Sequence, residues 1–429
     1  MIDRLEVLVA IAAVAALAAL GAALAWWSSG DEHGPRHLLD PSTPARAAVV
    51  AYLGLYVAGS LILLAAGESD GAGPLLAAGG LASFGVGAAA VRRFAGHEPP
   101  MRPPAPGGLS PPGLAVLAAV GLVAVAWLVL RFGVPLLATD PQGSREGFAG
   151  PVFDLFRWLV PPGAIALFAA SLARRDTPGG RRVAIAVLVA VAGLEILLAS
   201  RALPFELVIG ALLVAHWAGL HPSPRTSIAL GVAALVMFVG VQFVRVGPEG
   251  GFSGAADAAG FAVRRTFDRV VLIHPRTLEI VATEIPAREP FFAGSTYVRR
   301  LAPLLGQEER PTLGYWLYER LFPGQPGGFA APGVAGEAWA NGGPLLVAIV
   351  MAALGAAAAW LGRVLARLPG GAADRAYAAL IVVAVARTYA TSLNGFLLTV
   401  AVATVWWLVA SGRLAGLVYR PASDHPSAL

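Results

Sequence analysis

The sequence predicts an all-α polytopic membrane protein, and three features support that fold class. Hydrophobic residues make up 57% of the 429 residues and charged residues 13%, a composition unlike that of a soluble domain. Apolar runs long enough to cross a bilayer recur along the chain. A polar stretch of about a hundred residues, 246–343, interrupts the series once.

Apolar runs of about 17 to 25 residues predict about eleven membrane-spanning helices. The first run ends in Trp26-Trp27, an aromatic pair typical of the membrane interface, so it is interpreted as a span and not as a signal peptide. Three regions follow, with spans 1–8 in 1–245, a large outer loop in 246–343 and spans 9–11 in 344–429. The runs lie near 6–27, 47–66, 73–91, 113–131, 156–173, 183–199, 203–219, 227–245, 345–361, 376–390 and 394–410.

The orientation follows from arginine, which supplies all 31 basic residues because the chain contains no lysine. If the C-terminus is cytoplasmic, the short inner connections hold fifteen arginines and the short outer ones hold six. This distribution satisfies the positive-inside rule and places the long loop outside. The basic charge is therefore interpreted as anchoring to lipid, and no nucleic acid is expected as a partner.

The composition also narrows the chemistry. With no cysteine, the chain has no disulfide, no thiolate metal site and no cysteine nucleophile. The seven histidines show no pair at metal-ligand spacing, so no metal is predicted. Neither a P-loop nor a dinucleotide-binding fingerprint is present, and no cofactor is expected.

The most informative motif lies directly before the ninth predicted span. Glu337 and Asn341 are four residues apart and so share one face of any helix that contains both. A carboxylate at that position either acts in chemistry or hydrogen-bonds backbone amides at the start of the helix. Glu195, inside the sixth predicted span, is a second candidate, which either meets substrate or pairs with an arginine.

The outer loop contains a predicted amphipathic helix. Between 258 and 274, Val263 and Phe267 lie on one side while Arg264 and Arg265 lie on the other, which indicates a lid-like helix at the membrane interface. His274 follows as either a base or a structural polar group. The aromatic run 315–318 suits sugar rings or marks the interface, and Arg387 near the tenth span lines a cleft or anchors the helix.

Two motifs together resemble those of a known family. Gly294-Ser295-Thr296-Tyr297, followed about 40 residues later by Pro332-Gly333-Val334-Ala335-Gly336-Glu337-Ala338-Trp339-Ala340-Asn341-Gly342-Gly343, is similar to the pattern of bacterial oligosaccharide repeat-unit polymerases, the Wzy-type O-antigen and capsule polymerases. The span number and the single long outer loop in the C-terminal half agree with this resemblance. Gly342 departs from it, because that position is usually aromatic in the family.

The resemblance implies a metal-independent glycosyltransferase of GT-C-like architecture in the bacterial inner membrane, with its active site on the outer face. It would transfer a growing glycan from an undecaprenyl-diphosphate carrier onto the non-reducing end of a lipid-linked repeat unit. Its partners would be undecaprenyl-diphosphate-linked oligosaccharides, membrane lipid and a chain-length regulator protein.

Roles for individual residues follow as hypotheses. Glu337 would act as the base that accepts the acceptor proton, and Asn341 would orient the acceptor or Glu337. Guanidinium groups of Arg145, Arg201 and Arg299 or Arg300 would hold the diphosphate, or would reach lipid phosphate at the interface. The residues expected to line the substrate are Thr296, Tyr297, Arg264, Arg265, His274 and Arg387.

Two alternatives remain. An O-antigen ligase would share the topology and the outer arginines and would differ mainly in its acceptor. A transporter of an anionic or lipid-linked substrate belongs to another class, and the absence of an internal repeat or of paired broken spans counts against it. A site around one outward cleft would favour a transferase, whereas a site at the midplane would favour transport.

Overall fold

All regular secondary structure in the described part of the chain is helical, which confirms the predicted all-α class. The computed structural model describes residues 4–28, 42–96, 99–138, 144, 148, 151–174, 178–200, 202–220, 225, 229, 232–233, 236–241, 255–298, 313–324 and 328–414. Among these residues, seven helices are long and apolar enough to cross a membrane, so the protein is a helical membrane protein.

Among the described residues, seven helices with described bounds precede the long loop 246–343. Two of them begin at a proline that follows a hydroxyl side chain. The Thr43 side chain, before Pro44, accepts a hydrogen bond from the Arg46 N–H, and the Ser110 side chain, before Pro111, accepts one from the Gly113 N–H. A π-helical turn, Tyr52–Val57, interrupts the second helix. The helices are α1 Arg4–Ser28, α2 Pro44–Ala65, α3 Ala72–Ala95, α4 Pro111–Phe132, α5 Pro151–Ala173, α6 Pro178–Leu197 and α7 Ala202–Trp217.

Seven more helices follow in the described parts of the long loop and of the C-terminal region. A π-helical turn, Asp268–Leu272, joins the first two of them, and a 3₁₀ turn, Arg387–Ala390, precedes the last. They are α8 Ala255–Phe267, α9 Ile273–Glu284, α10 Ser295–Val298, α11 Leu313–Leu321, α12 Gly333–Arg367, α13 Ala372–Ala386 and α14 Leu393–Ala410.

The seven membrane-length helices correspond to seven of the eleven predicted spans, namely α1 to α5, α12 and α14. The predicted spans at 203–219 and 376–390 form the shorter helices α7 and α13, of 16 and 15 residues. The span at 183–199 forms α6, a helix of 20 residues that is long enough to cross a membrane but contains three charged residues, Arg181, Arg182 and Glu195. Most of the span at 227–245 lies outside the described residues.

The chain folds into two compact units, and the first is assembled from three separate stretches: Met1–Met101, Val263–Arg367 and Val382–Thr399. At its centre α3 packs against α1, α9 and α12. Glycines make these approaches close: a Cβ on Gly85 would collide with the backbone of Gly21, and one on Gly355 would collide with the backbone of Phe84. This unit contains the Glu337 motif and much of the long loop 246–343.

The second unit comprises Arg102–Ala262, Leu368–Ile381 and Val400–Leu429. In it α5 packs against α4, α6 and α7. Asp374 is 1% exposed and accepts hydrogen bonds from Trp407 Nε1 at 2.8 Å and Arg413 Nη1 at 2.9 Å. The guanidinium of the fully buried Arg375 donates to the carbonyl oxygens of Arg102 and Leu368 at 3.1 and 3.4 Å. Asp374 and Arg375 are thus held by hydrogen bonds.

Candidate functional site

The Glu337 motif forms a short helical segment that ends at a break inside α12. Gly342 and Gly343 have non-helical backbone angles, and Gly343 has a φ of 66°, which an L-residue with a side chain rarely adopts. Pro344 follows and cannot donate a backbone hydrogen bond. Residues 333–341 are therefore a separate helical stretch at the entry to the membrane-spanning part of α12.

Asn341 completes the end of this short helix. Its Nδ2 donates to the Glu337 carbonyl oxygen at 2.7 Å and to Thr296 Oγ1 at 2.6 Å, while its Oδ1 accepts from the Gly294 N–H at 2.9 Å. The Phe292 N–H donates to the Ala340 carbonyl oxygen, at the end of the same short helix, at 2.8 Å. Segment 292–296 thus supplies bonds that the broken helix lacks, and the two motifs meet in space.

Glu337 lies in the same network and is 3% exposed. Its Oε2 accepts a hydrogen bond from the Leu393 N–H at 2.7 Å, and the Thr296 side chain also hydrogen-bonds the carboxylate. Since Thr296 Oγ1 accepts from Asn341, its hydroxyl can donate to Glu337. The carboxylate therefore bonds a backbone amide at the start of α14, and not only groups near its own helix.

Asn394 is a residue of this site that the sequence analysis missed. Its Nδ2 donates to the carbonyl oxygens of Tyr297 and Thr296 at 3.0 and 3.3 Å. It lies one residue after Leu393, so the start of α14 holds both Glu337 and the motif 294–297. Ser392 and Asn394 preceding an apolar run are a helix-start pattern, which was the available sequence signal.

Tyr297 closes one side of the network. Its hydroxyl is inaccessible to solvent, and burial, followed by the nearby Glu337 carboxylate, raises the pKa of Tyr297 well above its usual range. A phenol in that state stays protonated at all physiological pH values. Tyr297 can therefore donate a hydrogen bond to a ligand but cannot supply a base.

His274 belongs to a cluster of aromatic rings beside the motif. Its ring lies 5.2 Å from that of Tyr389 and 6.1 Å from that of Tyr56, both edge to face. The Tyr56 hydroxyl donates to the Pro332 carbonyl oxygen at 3.0 Å. Burial lowers the pKa of His274 to about 4, so the ring is neutral at pH 7. This environment favours the structural interpretation of His274, although its role in catalysis stays a prediction.

The other predicted residues fall into two groups. Arg264 and Arg265 lie on α8, and within the described residues no hydrogen bond or ion pair joins either of them to the Glu337 network. Arg387 begins the 3₁₀ turn that carries Tyr389. The four arginines predicted to bind diphosphate lie outside the described residues: Arg145, Arg201, Arg299 and Arg300.

Glu195, the second carboxylate candidate, lies in α6 and is fully buried. The charged groups that act on it are Glu206 on α7 and Arg157 on α5, and its two oxygens have no hydrogen bond in the described part of the chain. Arg157 is thus the arginine near Glu195, in agreement with the interpretation that Glu195 pairs with an arginine.

The described residues contain no group of three or more His, Asp or Glu side chains that could hold a metal ion. What the fold and the site define is a helical membrane protein with a buried carboxylate, amide and hydroxyl network at a broken helix. Compared with known proteins, the chain matches no family model, no curated protein and no solved structure.

Proposed function

We propose that the protein is a membrane glycosyltransferase of the polymerase kind, which uses a polyprenyl-diphosphate-linked oligosaccharide as donor. The observation that carries the proposal is the convergence of two motifs that are separate in the chain: Asn341 hydrogen-bonds both Gly294, 47 residues away, and Thr296, 45 residues away. The resemblance to repeat-unit polymerases rests on the same two motifs. Their convergence supports the idea that they form one site.

In the proposed reaction, an acceptor hydroxyl attacks the anomeric carbon of the donor sugar. A new glycosidic C–O bond forms, the C–O bond to the diphosphate breaks, and the diphosphate leaves with the bonding electrons. Glu337 accepts the proton of the acceptor hydroxyl. The Leu393 N–H and the Thr296 hydroxyl orient the carboxylate for this step.

The buried position of Glu337 adds a requirement. Because the carboxylate is 3% exposed, an acceptor reaches it only when segment 294–297 moves away from Asn341. This segment, which includes most of α10, would then act as a gate that closes over the bound sugar and excludes water. The arginines at 145, 201, 299 and 300 would stabilise the charge on the leaving diphosphate.

The test measures polymer formation in membranes that contain the parent or Glu337→Gln at matched expression, with polyprenyl-diphosphate-linked repeat units as substrates. We expect the variant to lose polymer at least about a hundredfold and to keep lipid-substrate binding. Glu319→Gln is the matched control, since Glu319 is an exposed carboxylate of the same loop. Normal polymer from Glu337→Gln would leave Glu337 as a helix-start residue and remove this mechanism.

A transporter is the second candidate, because two observations favour it. Glu195 is a fully buried carboxylate within the membrane protein, and α12 is broken at Gly342-Gly343. If the parent forms no polymer but moves a lipid-linked substrate across vesicles in a manner that Glu195→Gln abolishes, transport replaces transfer. Transfer to a lipid acceptor without chain growth would instead indicate the ligase.

A further inference from the structure

The two ends of the short helix 333–341 are held by different parts of the first unit. Its C-terminal end bonds segment 292–296 through the Asn341 side chain and the Ala340 carbonyl oxygen. Its N-terminal end lies against α2, α9 and the 3₁₀ turn that precedes α14. Glu337 lies between these ends, so both sets of contacts bear on the position of its carboxylate.

Tyr56, in the π-helical turn of α2, holds the chain directly before the short helix. It is fully buried, and its hydroxyl donates to the Pro332 carbonyl oxygen at 3.0 Å. From α9, Thr277 Oγ1 donates to the neighbouring Ala331 carbonyl oxygen at 3.4 Å, a longer bond than the one it makes to the His274 carbonyl oxygen at 2.7 Å. Hydroxyl groups from two helices thus meet at the start of the short helix.

Gly333 allows this approach. A Cβ at that position would collide with the Tyr56 hydroxyl and with the Tyr389 carbonyl oxygen, so a residue without a side chain fits there. Its φ of 65° also favours glycine. Because Gly333 and Glu337 are four residues apart in one helix, a shift of the helix start moves the carboxylate with it.

Neighbouring rings fix the orientation of the Tyr56 ring. Between ring centres, Tyr52 lies 5.3 Å from it, Tyr389 5.9 Å and His274 6.1 Å, and all three meet it edge to face. Aromatic pairs with this geometry stabilise one another beyond the area that they bury. These rings belong to α2, α9 and the 3₁₀ turn, so their contacts with Tyr56 do not depend on segment 294–297.

From this arrangement we infer that Tyr56, supported by Thr277, is a positioning residue that fixes the Glu337 carboxylate for proton transfer. The inference rests on the proposed function. It adds that the support of Glu337 is separate from the gate formed by segment 294–297, because the two hydroxyl groups belong to α2 and α9. A base has to lie within hydrogen-bond reach of the acceptor hydroxyl, so a displaced carboxylate slows the chemical step and leaves the gate unchanged.

The separate support matters when the gate opens. Asn341 then loses its bonds to segment 294–296, which releases the C-terminal end of the short helix. The Leu393 N–H still holds the Glu337 carboxylate, and the Tyr56 hydroxyl still holds the start of the helix. A substrate that enters therefore meets a carboxylate in a fixed position.

The experiment measures steady-state polymer formation by the purified full chain, with the polyprenyl-diphosphate-linked repeat unit as the varied substrate. We expect Tyr56→Phe to lower kcat about tenfold and to leave KM within about twofold of the parent value. Tyr377→Phe is the matched control, because it removes another buried tyrosine hydroxyl with a 3.0 Å hydrogen bond, to Thr404 in the second unit. Its kcat and KM should equal those of the parent.

A second variant covers the case in which Tyr56→Phe fails to fold. Thr277→Val keeps the shape of the side chain and removes the longer bond to Ala331, so we expect kcat to fall about threefold with KM unchanged. An unchanged kcat in the folded variant would overturn the inference. So would a rise in KM with normal kcat, since that result would place the hydroxyl in substrate binding.

Hydrogen exchange separates a failure of this inference from a failure of the proposed function. In the purified chain without substrate, amides of 333–341 should exchange at least about fivefold faster in Tyr56→Phe than in the parent or in Tyr377→Phe. If the parent forms no polymer, the proposed function fails, and faster exchange still shows that Tyr56 holds the short helix. Equal exchange rates in the parent and Tyr56→Phe would overturn the positioning role whether or not polymer forms.

Discussion

The Asn341 side chain donates a hydrogen bond to the Glu337 carbonyl oxygen, next to the break at Gly342-Gly343. Its amide uses both N–H groups and its oxygen, and it is 4% exposed. The four-residue spacing predicted that Asn341 and Glu337 share one helix face, whereas the helix break at the Gly-Gly-Pro that follows was not predicted. The bond from Glu337 to the Leu393 N–H was not predictable, since a backbone amide 56 residues away has no signature of its own.

Replacing Asn341 by alanine tests this role. Asn341→Ala removes three hydrogen bonds and leaves buried groups without partners, so we expect the free energy of unfolding to fall by about 2–4 kcal/mol. The measurement is thermal unfolding in detergent. Asn394→Ala, at an exposed side chain with longer bonds, should cost less than about 1 kcal/mol. Equal losses for the two variants would contradict the assignment.

His274 predicts a pH dependence of stability. Its folded pKa of about 4 is below the usual value of about 6.5, so the unfolded chain binds more protons between these values. The resulting loss of stability is absent above pH 7, grows as the pH falls and reaches about 3 kcal/mol at pH 4.

His274→Phe keeps a ring beside Tyr56 and Tyr389 and removes the titrating group. The thermal midpoint in detergent should then fall less between pH 7 and 4.5 than it does in the parent. The comparison variant is His216→Phe, which changes a histidine on α7 in the other unit. An unchanged acid sensitivity in His274→Phe would show that other groups cause it.

Two interruptions in helices show what periodicity can and cannot predict. The predicted amphipathic helix over 258–274 is helical throughout, but a π-helical turn, Asp268–Leu272, separates α8 from α9 within it. The wider turn changes the register along the helix: the Val263 side chain before it is 54% exposed, and the Val271 backbone within it lies against Gly59. A π-helical turn adds one residue to a turn of the helix, and a hydrophobic pattern with a period of 3.6 residues does not indicate where such a turn occurs.

The break in α12 rests on glycine and is open to a direct test. Gly343→Ala puts a side chain at a φ of 66° and close to the Phe291 ring, so we expect a loss of about 1–2 kcal/mol in the free energy of unfolding. Gly79→Ala is the matched control, since Gly79 lies inside α3 with no atom near its added Cβ. That variant should be neutral or slightly more stable. Thermal unfolding of both variants gives the answer.

At the scale of the whole molecule, composition predicted the class, because burying so much apolar surface in lipid needs helices that satisfy their own backbone. It did not predict that stretches around 50, 280, 340 and 390 assemble into one unit. Close contacts between glycine and a distant backbone, such as Gly355 with Phe84, create that unit, and neither partner differs in type from many other small residues. Long-range pairing of this kind is therefore hidden in a single sequence.

The predicted orientation is testable with single cysteines, since the chain contains none. Ala287 and Pro106 are both exposed. We expect Ala287→Cys to react with a membrane-impermeant thiol reagent in intact bacterial cells, and Pro106→Cys to react only after lysis. Labelling of Pro106→Cys alone in intact cells would reverse the topology and move the long loop to the inside.

The first unit is built from three separate stretches of chain, so it is held together by contacts between these stretches and not by chain continuity. Arg288 is exposed after α9, and the pieces on its two sides meet where α3 packs on α12 and where Glu284 pairs with Arg320. A protein cut at an inserted protease site after Arg288 should therefore elute in detergent as one particle containing both fragments. The long loop can then be severed, tagged or replaced in place while the membrane-embedded helices keep their partners.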